Sequence, residues 1–119
     1  MQNSSLETTD RYNELLGLMD GDQQLLQELI EVFLEDAPQR IEGVRRALNA
    51  GDALALYKAA HTLKGSAGNF GAPEVVGLAL RLEALAREGN LDAAGVQFQR
   101  LETEMNRLVA GLMAARRLS

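Results

Sequence analysis

The 119-residue chain has no cysteine and no tryptophan, only two prolines, and a single histidine. Without cysteine there are no disulfides, no thiolate zinc sites and no cysteine nucleophiles. One histidine alone also excludes the paired Glu-x-x-His ligands of di-metal helical bundles, so no metal site is expected. Basic charge is scarce as well: 12 Lys and Arg face 17 Asp and Glu, a formal net charge of −5. Such a surface repels phosphate backbones, which argues against nucleic acid as a partner, and the Arg116–Arg117 pair is too small to make a binding stripe. No apolar run approaches the ~20 residues needed to span a bilayer. The polar, acidic stretch from Met1 to Asp10 lacks the basic-then-apolar design of a signal peptide. The expectation is a soluble cytoplasmic protein with no membrane association.

What the chain does have is leucine and alanine. Hydrophobic residues make up 46% and aromatics only 4%, a mix that favours helix, because β-branched and aromatic side chains lose more rotamer freedom there. The length suits one core, so a single domain over 1–119 is expected, with a helical core of about 9–113. A short first helix is predicted from Thr9 to Leu18, ending before Asp20–Gly21–Asp22. In the second segment Leu26, Ile30, Phe33, Ala37, Ile41, Val44 and Leu48 trace one helical face. Pro38 lies inside that run, so this helix either kinks or restarts there. Gly51–Asp52 stops one helix and caps the next, which runs to about Phe70. Pro73 opens a fourth helix with a stripe of Val75, Leu78, Leu82 and Leu85. After Gly89–Asn90 a fifth carries Leu91, Ala94, Phe98, Leu101, Met105, Leu108 and Leu112 in three-four alternation. These segments predict an all-α fold, an antiparallel four-helix bundle with a short additional N-terminal helix.

The third helix has two unlike faces. At 100° per residue, Leu56, Ala59, Leu63, Ala67 and Phe70 fall on one side, the expected core. His61 falls on the other, with Lys64, Gly65 and Gly68 three, four and seven residues on. Each interior glycine costs about 1 kcal/mol relative to alanine in a helix. Close packing against a neighbouring helix is one compensation. The other is access: bare backbone around an exposed imidazole admits a bulky partner, and the glycines' place on the histidine face favours it. An imidazole with a pKa of ~6.5 is largely neutral near pH 7, so its ring nitrogen is a competent nucleophile. Lys64 lies one turn on, placed to neutralise charge on a transferred group, although a solvated surface lysine explains it too.

The run Ala60-His61-Thr62-Leu63-Lys64-Gly65-Ser66-Ala67-Gly68-Asn69-Phe70-Gly71 closely resembles the signature of histidine-containing phosphotransfer (HPt) domains. It is also similar to the phosphorylated N-terminal domain of the chemotaxis kinase CheA. The likeness extends to Gly21-Asp22 leading into Leu25-Leu26, to Phe33-Leu34-Glu35-Asp36-Ala37-Pro38, to Gly51-Asp52 and to Leu82-Glu83, covering about Tyr12 to Leu108. The resemblance implies a phosphorelay intermediate. His61 would accept a phosphoryl group at Nε2 from the receiver aspartate of a hybrid sensor kinase and pass it to the aspartate of a response regulator. Lys64 would stabilise the phosphoryl group. Glu83 matches the residue that orients the imidazole, and Arg87 would support the phosphoryl group or that carboxylate. Glu83 and Arg87 also suit a plain i,i+4 surface pair. Tyr57 and Lys58 read as partner-facing or merely solvated. Leu15, Leu18 and Met19 suit either docking of a receiver domain or core packing.

No Walker-type or kinase-type glycine loop is present, so the expectation is a phosphocarrier and not an enzyme. It would bind no cofactor of its own, the Mg²⁺ belonging to its receiver partners, and a monomer would keep its one active face open. Two alternatives stand beside it: a docking module that regulates a response regulator or kinase without turnover, and an excised phosphoacceptor domain of a larger CheA-type or hybrid kinase.

Overall fold

The computed structural model describes residues 4–118, with side chains described from Asp10 onward. Five helices follow one another: α1 (Ser4–Leu18), α2 (Gln23–Ala50), α3 (Ala53–Gly68), α4 (Pro73–Glu88) and α5 (Leu91–Arg116). α2 through α5 form the bundle, each packing on the next and α5 closing back on α2, while α1 lies against α5 and α2. Connections of two to four residues require antiparallel neighbours. The 28 residues of α2, at ~1.5 Å rise, match the 42 Å long axis of the molecule. Among the described residues no helix is long and apolar enough to cross a membrane.

The punctuation in the sequence acts through hydrogen bonds. The Asp22 carboxylate accepts from the Leu25 amide (2.9 Å), Asp52 from Ala55 (3.0 Å) and Asn90 from Ala93 (3.2 Å). Each satisfies an amide that the first helical turn leaves without a partner. Gly51 and Gly89 end α2 and α4 in the left-handed region, at φ 67° and 72°, which a Cβ would disfavour. Replacing Asp52 by Ala is expected to cost about 1 kcal/mol and to lower the melting temperature by roughly 4 °C in a thermal scan.

Several details differ from the sequence-based expectation. α1 starts at Ser4, not Thr9; neither proline nor glycine stands between Ser4 and Gly17 to stop it. α2 runs unbroken through Pro38. The ring's lack of an N–H there deprives the Leu34 carbonyl of one bond, and the packing on both sides of the proline carries the helix across. α3 stops at Gly68, so Phe70 belongs to the turn, where its ring meets Phe33 edge-on at 5.3 Å and pins the end of α3 to α2. The buried face of α3 is Leu56, Ala60, Leu63 and Ala67, with Ala59 half-buried at its edge. Likewise Ile41, Leu48, Leu78 and Leu91 flank the core, and Ala47 and Ala79 fill positions within it. Leu15 and Met19 are core residues, while Leu18 is 56% exposed.

Candidate functional site

α3 and α4 together build a polar cluster on an otherwise leucine- and alanine-packed interface. His61 projects from the middle of α3 with its side chain 60% exposed. Its neighbour Ala60 is fully buried, so the core side of the helix holds the backbone while the ring stands out. Across from it on α4, Glu83 is the one buried charged residue among those described, its side chain 3% exposed. The Glu83 Oε2 lies 2.8 Å from His61 Nδ1. The Lys64 ammonium donates to the same carboxylate, 3.1 Å to Oε1 and 3.0 Å to Oε2. A buried carboxylate without such partners would be strongly disfavoured. Here burial pushes the Glu83 carboxyl up, but the hydrogen bonds from Lys64 and His61 and the attraction of the two groups outweigh it. Its pKa ends below the usual 4.5.

An ionised Glu83 accepts only, so the bond at Nδ1 requires the proton on that nitrogen. In the neutral ring Nε2 is then left with its lone pair. The cluster thus combines an exposed imidazole with a buried carboxylate from the adjacent helix at its Nδ1, an arrangement that can orient an imidazole for chemistry at Nε2. Lys64 sits on Glu83 and not free in solvent.

Gly65 and Gly68 are exposed on the same face, and a Cβ built on either would meet nothing within 4 Å. Packing against a neighbouring helix of this chain therefore does not explain them. They leave bare backbone beside the histidine. Ser66 is half-buried, and its hydroxyl donates to the Thr62 carbonyl at 3.2 Å.

A family model described as the Hpt domain matches residues 28–111, which includes every residue of this cluster. The chain belongs to the Hpt domain family. A solved structure bears this out: the crystal structure of histidine-containing phosphotransfer protein B (HptB) from Pseudomonas aeruginosa PAO1 superimposes with a TM-score of 0.83. The two are 30% identical, and the match covers 90% of this chain and 93% of that one. A search of curated protein sequences returned no match. All-helical architecture, which the sequence predicts, is therefore the Hpt fold here, with the histidine of the signature on α3.

Arg87, one turn beyond Glu83 on α4, does not form the i,i+4 pair with it. Glu83 turns inward to His61 and Lys64, and the Arg87 guanidinium lies 5.1 Å from the centroid of the Tyr57 ring. Tyr57 in turn stacks on His61, ring centroids 6.0 Å apart and planes within 17°. Sequence reasoning left Tyr57 without a role. The available signal was its spacing: four residues before His61, it shares the imidazole's face of α3.

Proposed function

We propose that this Hpt domain is a phosphorelay intermediate whose His61 carries the phosphoryl group. The reading rests on one observation above all, the 2.8 Å contact that ties Nδ1 to a buried carboxylate and leaves Nε2 free on an exposed ring. In the forward step Nε2 attacks the phosphorus of an aspartyl phosphate on a receiver domain. The Nε2–P bond forms, the acyl-phosphate P–O bond breaks, and the carboxylate of the receiver aspartate departs. Because Nδ1 keeps its proton, the phosphorylated ring carries positive charge, and the ionised Glu83 stabilises that charge in place. Lys64, held beside the ring by Glu83, supplies an ammonium for the phosphoryl oxygens. The second step reverses these bonds onto the aspartate of a response regulator. The donor would be the receiver domain of a hybrid sensor kinase, with Mg²⁺ held by the receivers, and the carrier itself would be a cytoplasmic monomer without kinase activity.

The test is incubation with a phosphorylated receiver domain, followed by analysis of the bond formed. The expected product is acid-labile and base-stable, as a phosphoramidate is. No phosphate gained, or an acid-stable or base-labile product, would remove His61 from the reaction.

The bare face around His61 admits a separate check. Gly68→Gln gains helix propensity of up to about 0.7 kcal/mol, and its Cβ has open space, so the melting temperature should hold or rise slightly. Transfer from a phosphorylated receiver is expected to fall at least about tenfold, since a long side chain blocks close approach of the partner. An unchanged transfer rate would show that the glycine does not serve access.

A further inference from the structure

The hydrogen bond to Glu83 determines which imidazole nitrogen is free, but one hydrogen bond does not fix a ring. The imidazole can still tilt about the line from Nδ1 to Oε2, and tilting swings the Nε2 lone pair away from the phosphorus. In-line displacement needs that lone pair on the axis of the breaking bond, and small misalignments are costly. The solvent side of a 60% exposed ring offers nothing to hold it. The remaining restraint comes from within α3. Tyr57 lies nearly parallel to His61, within the 4.5–7 Å range of ring pairs that attract each other.

Tyr57 is itself held. It is half-buried and packs against the core cluster, and Arg87 from α4 places its guanidinium over the ring, an attraction between cation and ring face. The antiparallel register explains the pairing. One turn back along α3 from His61 and one turn forward along α4 from Glu83 lead to Tyr57 and Arg87. The two helices thus meet twice in succession, first through His61 and Glu83, then through Tyr57 and Arg87. Among the described residues Arg87 joins no carboxylate ion pair within 4 Å; its strongest interaction is with the Tyr57 side chain, with a weaker attraction to Glu83.

We infer that Tyr57 is a positioning residue for the His61 imidazole, and that Arg87 acts on the reaction through Tyr57 and not through Glu83. The functional consequence rests on the phosphoacceptor reading of His61. Glu83 selects the tautomer and Tyr57 sets the plane of the ring. The ring face that stacks on the imidazole does the positioning, while Arg87 holds Tyr57 through both its ring and its hydroxyl, so phenylalanine should keep most of the effect.

The test uses Tyr57→Phe, Tyr57→Ala, Arg87→Ala and the Tyr57→Ala/Arg87→Ala double variant in the full chain. Phosphoramidate serves as donor because it needs no docked protein. Its P–N bond breaks, ammonia leaves after taking a proton from solvent, and the Nε2–P bond forms, so the rate reports on the imidazole alone. Tyr57→Phe should stay within about twofold of wild type, and Tyr57→Ala should be about fivefold slower, as for other residues that orient a reactive group. Arg87→Ala should be about threefold slower alone, yet add nothing in the Tyr57→Ala background, since the two act as one unit. Imidazole ¹⁵N signals provide the readout that a loss of general stability does not move. Tyr57→Ala should keep the protonated-Nδ1 pattern that Glu83 sets but broaden and shift the signals as the ring plane loses its restraint, and Tyr57→Phe should do neither. Wild-type rate and wild-type ¹⁵N signals in Tyr57→Ala would overturn the inference. A further slowing by Arg87→Ala in the double variant would overturn the claim that Arg87 works through Tyr57. If wild type takes phosphate from neither phosphoramidate nor a phosphorylated receiver, the phosphoacceptor reading falls instead. The ¹⁵N signals would still decide whether Tyr57 positions the ring.

Discussion

Replacing His61 with glutamine is expected to abolish phosphoryl transfer while leaving the fold intact. No second histidine exists in the chain to take its place, so residual acid-labile phosphate should fall to background. The stability change should be small, within about 0.5–1 kcal/mol, because the side chain is 60% exposed and its burial contributes little. What is lost is a hydrogen bond to Glu83, and the glutamine amide can partly restore it. Circular dichroism and a thermal scan would establish the fold, and exchange with a phosphorylated receiver the activity. A His61→Gln protein that still acquired acid-labile phosphate would refute the assignment.

The second large effect falls on Glu83. Glu83→Gln keeps the shape but removes the charge that holds the proton on Nδ1 and balances the phosphorylated ring. Its amide can also present N–H groups to the imidazole, which favours the wrong tautomer. Transfer is expected to slow roughly 10- to 100-fold, in the range seen when groups that orient a reactive side chain are removed. Stability should fall too, by about 1–2 kcal/mol at neutral pH. The partners limit this loss, since Lys64 is 25% exposed and His61 more so.

The same residue predicts a pH dependence with a definite sign. The folded Glu83 carboxyl titrates below its ordinary value of 4.5, so below that pH the unfolded chain binds the extra proton. Its stabilising contribution is therefore complete above about pH 4.5 and is lost as pH falls through the lowered folded value. Wild type should consequently lose its advantage over Glu83→Gln as the pH is taken from 7 toward 3. A melting-temperature difference that stayed constant over that interval would show that folding does not lower the Glu83 pKa.

Much of the site was legible in helical phase. His61, Lys64, Gly65 and Gly68 lie on one side of α3 because a helix returns every 3.6 residues, and that holds wherever the helix is placed. The open space around the two glycines follows the same phase, although sequence could not distinguish it from a close helix contact; only the positions of the neighbouring helices did. Ala59 and Ala60 show the limit of phase. They stand adjacent with identical side chains, and it is the crossing of α3 with its neighbours that buries Ala60 fully.

The pairing of Arg87 with Tyr57 lay beyond what sequence can reach. The i,i+4 rule pairs Glu83 with Arg87 on an isolated helix, yet Glu83 turns into the bundle and Arg87 crosses to an aromatic ring on α3. A local rule weighs only groups on one helix. Within the bundle, Glu83 meets an imidazole and an ammonium that satisfy it better, which releases Arg87 for Tyr57.

The sequence by itself determined the helical class, the breaks at Gly51–Asp52 and Gly89–Asn90, and a lone histidine facing away from the leucines. These depend on local propensity, capping and periodicity, which act over a few residues. Only the tertiary structure decided that Nδ1 is tied to Glu83, that Lys64 shares that carboxylate, and that Arg87 crosses to the Tyr57 ring. Those contacts join residues 19 to 30 apart on two helices, and the register between helices comes from the packing of the whole core.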